Sequence, residues 1–192
     1  MMRRFQKSVC IFVVTLGIVL AATVIVRAYA IYAKWNANSV CYQYSRSLPT
    51  SFKSPTEAGA NTWNNEGGAN FSFSRCSQNH VWWYGYIDGV GGTGASTTLA
   101  FYWQSGQRIM VDADTVYDSG ESWWTYLSPP PSNKLDVWSV AAHEFGHWLS
   151  LDHSCTSPDG KIPTMCIPIN YGTSWARTLA QDDKNGIQAL YP

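Results

Sequence analysis

The sequence predicts an α+β domain, and three observations carry that prediction. Residues 31–75 read as strand, helix, strand. Further strand-like segments follow as far as Val116. Two helix-forming stretches remain, one around His143 and one that closes the chain. At 192 residues the chain has room for one domain, or for one domain behind a targeting segment.

Such a segment opens the sequence. Arg3, Arg4 and Lys7 make a basic start, Val9 to Val26 is an unbroken run of apolar or small residues, and Ala28-Tyr29-Ala30 is a small-x-small cleavage pattern. A signal peptide over residues 1–30 is therefore expected, with residues 31–192 exported. The length of the apolar run leaves an uncleaved membrane anchor, its domain still outside the cell, as the alternative. The formal charge of the whole chain is +0, but the leader holds Arg3, Arg4, Lys7 and Arg27 and no acid. Residues 31–192 then carry nine Lys+Arg against 13 Asp+Glu. That mild negative balance argues against nucleic acid as a partner.

The first strand is expected at Ser39–Tyr44, which is β-branched and aromatic. A helix should start at Ser54 as cap with Pro55 in the first helical position, continue through Ala58, Ala60 and Trp63, and break at Asn64-Asn65-Glu66-Gly67-Gly68. Phe71-Ser72-Phe73-Ser74 alternates as a strand with one buried face. His80–Ile87 is another strand candidate, and its histidine is expected at an exposed or strand-edge position. Asp88–Gly94 is a glycine-rich loop, and Arg108–Val116 is a further strand carrying Asp112 and Asp114. The triple proline at Pro129–Pro131 is a stiff connection into the next helix. Asn133 with Asp136 is the expected cap pair of that helix, and Leu135, Val137, Trp138, Val140, Ala141 and Ala142 lead on without glycine or proline. At the end of the chain, Asp182 and Asp183 suit the first turn of a helix whose Leu179, Ile187, Leu190 and Tyr191 face the core.

Five cysteines are present. Cys10 lies in the leader, and Cys41, Cys76, Cys155 and Cys166 form an even set in an exported domain, which fits two disulfides. Three pairings are possible. Cys155 and Cys166 bracket the segment between His153 and Met165 and would staple it, and Cys41 and Cys76 then pair by default. None has the Cys-x-x-Cys spacing of a metal site.

The chemistry concentrates in one stretch. The chain has four histidines, and His143, His147 and His153 fall within eleven residues. His143 and His147 are four apart, one helical turn above each other on the same face, so both imidazoles can reach one metal ion. Glu144 stands beside the first ligand, where a carboxylate can take a proton from a metal-activated water. His153 reaches the same ion only if the helix stops near Leu149–Leu151 and the chain turns back. A bare His-Glu-x-x-His also occurs on ordinary solvated helices, and the third histidine at this offset favours the metal reading.

His143-Glu144-Phe145-Gly146-His147 with His153 resembles the signature of the metzincin zinc peptidases, and within them the matrixin branch. Ser150 departs from that pattern, since the family has glycine there. The spot favours glycine because the chain leaves the helix through a left-handed conformation. The resemblance implies a zincin-like catalytic domain over residues 31–192: a twisted mixed sheet, mostly parallel, over an active-site helix and a second long helix, then a small C-terminal subdomain with its own helix. It implies zinc bound by His143, His147 and His153, Glu144 as general base, and a secreted, monomeric endopeptidase acting on protein or peptide substrates. Met165, between Pro163-Thr164 and Cys166, falls where the family has its methionine turn under the metal. Ile167 to Arg177 would line the substrate pocket, with Tyr171 a wall. The loop opening at Asp88 resembles the family's calcium loop, so Asp88 and Asp112 are candidate ligands of a shared Ca²⁺. Phe101 stands where many animal members place a structural-zinc histidine, so no second zinc is expected.

Ten tryptophans are many for this length. They motivate another reading, a glycan-binding protein whose zinc is structural. Against it, strand alternation alone sends one member of Trp82-Trp83 and of Trp123-Trp124 to the core, and a structural zinc has no use for Glu144.

Overall fold

The computed structural model describes residues 31, 33–77 and 80–192. The expected leader, with Cys10, lies outside the described residues. Among the described residues, no helix is long and apolar enough to cross a membrane.

In chain order the elements are β1 (Lys34–Trp35), β2 (Ser39–Tyr44), α1 (Thr50–Asn64), β3 (Ser72–Arg75), β4 (Val81–Gly85), β5 (Ala95–Gln104), β6 (Gln107–Asp118), β7 (Trp123–Trp124), β8 (Leu135–Asp136), α2 (Val137–Trp148) and α3 (Gln181–Leu190), with one 3₁₀ turn at Trp175–Arg177. β3, β2, β4 and β6 run parallel side by side, and β1 pairs parallel with the start of β6 at Lys34↔Ile109. β5 is antiparallel, laid along the whole of β6. The mostly parallel sheet over two helices, with a C-terminal helix, is the α+β architecture expected from the sequence.

Alternation along the strands sends Val40, Tyr42, Trp82, Ala113, Thr115 and Tyr117 to the helix side, all buried. There they meet α2 through aromatic edges and faces. Trp82 lies 4.8 Å from the Phe145 ring and stacks on Trp148 at 5.7 Å, while Tyr42 meets Phe145 at 5.1 Å. The two helices cross closely because α1 offers a glycine: a Cβ on Gly59 would sit 2.5 Å from that of Ala141. Trp63 fastens the crossing, its indole donating to the Ala142 carbonyl at 2.7 Å. Both expected disulfides are formed, Cys41–Cys76 between β2 and the end of β3, and Cys155–Cys166.

Two helix starts differ from expectation. α1 begins at Thr50, so Pro55 lies inside it and Ser54 caps nothing. The reason is tertiary. Phe52 is buried against Tyr84, Tyr117 and Trp123, with ring centres 5.2–5.6 Å away. Burying that ring outweighs the single helix bond that proline forgoes. At α2, Leu135 and Asp136 pair with β7 and keep the chain extended, so Asn133 is left in an exposed turn. Asp136 is the cap by itself, accepting from Ser139 N at 2.9 Å and Ser139 Oγ at 2.7 Å.

His80 is also not exposed. Its ring is covered by Trp35 and Trp148, 5.1 and 6.1 Å away, and its Nδ1 lies 2.7 Å from Asp112. The tryptophans form no paved surface. Trp35, Trp63, Trp82 and Trp148 are core, and the exposed Trp83 and Trp103 stand on different strands.

Candidate active site

α2 delivers His143, Glu144 and His147 as one rigid unit. Its N-terminus is pinned by Asp136, which besides capping the helix pairs with Arg177 through two bonds of 2.7 and 2.8 Å. The C-terminus stops the helix where His153 needs it to stop. Ser150 N donates to the His147 carbonyl and Leu151 N to the Gly146 carbonyl, the paired bonds of a Schellman ending. Ser150 takes the left-handed position of that ending, with φ +71°. Its hydroxyl supplies something that glycine lacks: Oγ accepts the Ala33 N–H at 2.6 Å, tying the start of the domain to this turn.

The three histidines converge. Their ring centres form a nearly equilateral triangle, 4.8, 5.1 and 4.8 Å on a side. The donor atoms all lie within 4.8 Å of one another, and Nε2 of His147 is 3.2 Å from Nε2 of His153. Two nitrogens each about 2.0–2.1 Å from a tetrahedral zinc lie about 3.3 Å apart, so the donor set fits that ion. The tautomers fit too. Nδ1 of His143 points to the Thr164 carbonyl at 2.8 Å and Nδ1 of His147 to the Leu151 carbonyl at 2.9 Å. A carbonyl only accepts, so each Nδ1 carries the proton and each Nε2 keeps its lone pair for a metal. Burial pushes the His143 imidazolium down to about 3, with neighbouring His147 adding to the effect, and burial lowers His147 and His153 as well. All three are thus held neutral, the form that ligates.

Beneath them runs the segment around Met165. A Cβ on Gly146 would fall 2.1 Å from the Met165 sulfur, so the glycine of the motif is what lets the methionine close against the helix. Asp183 of α3 holds that segment in place. Its carboxylate accepts from Thr164 N (2.8 Å), Met165 N (3.2 Å) and Ala180 N (2.8 Å). The chain of support thus runs from α3 through Thr164 to the first histidine.

Glu144 is buried, and its Oε2 accepts from Thr97 Oγ1 at 2.6 Å. Burial raises its carboxyl to about 7, against the lowering effect of the Thr97 bond. The carboxylate and the histidines open on a cleft of about 650 Å³. Thr97 and Leu99 of β5, Leu135, Val140, Ile169 and Tyr171 are among the residues that line it.

Every residue of the expected zinc site is brought together, and Tyr171 lines the cleft as expected. Asp88 and Asp112 are not brought together. Asp112 pairs with Ala100 and bonds His80 near the middle of β6, whereas Asp88 lies beside Asp118 at its far end. Sequence reasoning missed Thr97, Thr164 and the holding role of Asp183. Thr97 shares a strand face with Leu99, a signal for its wall position, but no local pattern links it to Glu144, which is 47 residues away.

A family model described as matrixin matches residues 34–192. The chain belongs to the matrixin family. Among its relatives, this matrixin is 39% identical over 105 residues to the interstitial collagenase of Equus caballus, covering 55% of this chain and 19% of that protein. It is 30% identical over 172 residues to matrix metalloproteinase-20 of Homo sapiens, covering 82% and 32%. With stromelysin-2 of Rattus norvegicus it shares 33% over 173 residues, covering 82% and 33%. The chain therefore spans a third or less of the length of these relatives. Matrixins are zinc-dependent metalloendopeptidases, and the His143, His147 and His153 group fits the metal that the family implies.

Proposed function

We propose that this matrixin is an exported, monomeric zinc endopeptidase, with residues 31–192 as its catalytic domain behind a leader over residues 1–30. In this reading His143, His147 and His153 hold the metal and Glu144 is the general base. One observation carries it: three imidazoles whose donor atoms lie within 4.8 Å of one another line an open cleft, with a buried carboxylate beside them. A structural zinc closes with four protein ligands and leaves no cleft at the metal.

Bound there, zinc supplies Lewis acidity, polarising the scissile carbonyl and bringing a water's pKa toward about 7. The remaining steps fall to the chain's own residues. β5 presents an edge along the cleft, where an extended peptide can be held parallel to the strand. Glu144 removes a proton from the attacking water, and its burial makes the carboxylate a stronger base than one in water. The same carboxyl then returns the proton to the departing amine. The pocket walls of Leu135, Val140 and Tyr171 suit an apolar or aromatic side chain next to the scissile bond.

Glu144→Gln keeps the shape and removes the base. Its zinc content should match wild type while casein hydrolysis falls by roughly 100-fold or more. A zinc-loaded variant that digests casein at the wild-type rate would refute the assignment.

A further inference from the structure

We infer that Thr97 is a positioning residue for Glu144, the last member of a one-way hydrogen-bond relay that begins in the core at Trp148. This rests on the reading of Glu144 as the base.

Three bonds define the relay. The Trp148 indole donates to Thr115 Oγ1 at 2.8 Å, Thr115 Oγ1 lies 2.6 Å from Thr97 Oγ1, and Thr97 Oγ1 lies 2.6 Å from Glu144 Oε2. The direction follows from counting hydrogens. An indole N–H only donates, so the Thr115 oxygen accepts there and its own hydrogen remains to be given. A carboxylate only accepts, so the single hydroxyl hydrogen of Thr97 goes to Glu144. Thr97 must then receive from Thr115. One arrangement satisfies all three contacts, and each bond polarises the next.

Its anchor is immobile. Trp148 and Thr115 have no solvent exposure, and Trp148 is stacked on Trp82. Thr97 and Thr115 are directly opposed partners in the β5–β6 ladder, so backbone register sets their separation. The relay therefore ties Glu144 Oε2 to the sheet and leaves Oε1 as the oxygen that exchanges the proton. Only a β-branched or small hydroxyl residue at position 97 can reach both neighbours. Valine there has the same shape without the link.

The test compares Thr97→Val and Thr97→Ser in the zinc-loaded protein. Thr97→Val should keep its zinc and its KM while kcat falls roughly 10- to 100-fold, the loss of one bond to a charged acceptor. Thr97→Ser should restore most of kcat. In proton–nitrogen NMR spectra the Trp148 indole resonance, assigned by its absence in Trp148→Phe, should move in Thr97→Val and return in Thr97→Ser. Thr115→Val, which cuts the relay one bond away from the cleft, should lower kcat by less and also spare KM, and it carries the test if Thr97→Val does not fold. Unchanged kcat in Thr97→Val, a rise in KM alone, or serine behaving as badly as valine would each overturn the relay. Full activity in Glu144→Gln would instead overturn the assignment of the base, so the two failures are distinguishable.

Discussion

Asp118 and Asp183 each gather backbone N–H groups from a loop beside the cleft, yet their protonation moves in opposite directions. Asp118 organises the rim. It accepts from Ile87, Asp88, Gly89 and Gly120 at 2.6–3.1 Å, and so shapes the loop that continues through Gly91–Gly94 to β5. Asp183 organises the floor through Thr164, Met165 and Ala180. Both side chains are buried, Asp118 beneath the loop whose N–H groups it accepts and Asp183 against the segment around Met165. At Asp118 the upward effect of burial is overcome by its four donors, and the carboxyl falls to about 2. At Asp183 burial wins over three donors, adjacent Asp182 adds to it, and the carboxyl rises to about 6. The number of hydrogen bonds alone does not set a carboxylate's acidity; the balance between burial and the donors does.

The comparison breaks most visibly at the floor. Asp183→Ala leaves three buried N–H groups without their acceptor, and should cost at least about 3 kcal/mol in urea unfolding. A loss below about 1 kcal/mol would mean that this carboxylate does not hold the methionine segment.

A smaller and sharper effect lies in pH. The folded-state pKa of Asp118 lies below the ordinary 3.8, so its contribution is present above 3.8 and lost as pH falls toward about 2. For Asp183 the folded value lies above 3.8, so the native state holds the extra proton and its contribution declines as pH rises from 3.8 through about 6. Urea midpoints of Asp118→Asn and Asp183→Asn, each set against wild type at the same pH, cancel the imidazole titrations. The wild-type advantage over Asp118→Asn should shrink on acidification through the lower window. Relative to Asp183→Asn, the wild type should gain on acidification through the upper one. Parallel slopes would refute this opposition of the two carboxylates.

The smallest effect expected is a coupling near zero. The two carboxylates share no hydrogen-bond partner, so the double variant should equal the sum of the single ones within about 0.5 kcal/mol.

The candidate metal site was legible in the sequence alone. The four-residue spacing of His143 and His147 is a local property that helical periodicity expresses directly, and His153 joins them where the helix ends. Ser150 was singled out by the resemblance, since it stands where the family has glycine, and φ +71° is what that helix ending requires. Cysteine parity fitted two disulfides, and the bracketing of the segment between His153 and Met165 led to the pairing that is formed. Contacts between residues far apart in the chain were not legible in this way. The start of α1 depends on where the Phe52 ring finds its neighbours, and the cap of α2 on β8 pairing with β7. The hold of Asp183 on Thr164 and the link from Trp148 through Thr115 and Thr97 to Glu144 depend on packing and strand register. Hydrogen-bond partners of this kind are chosen by three-dimensional proximity, and a threonine on a strand looks the same in sequence whether it faces water or a buried carboxylate.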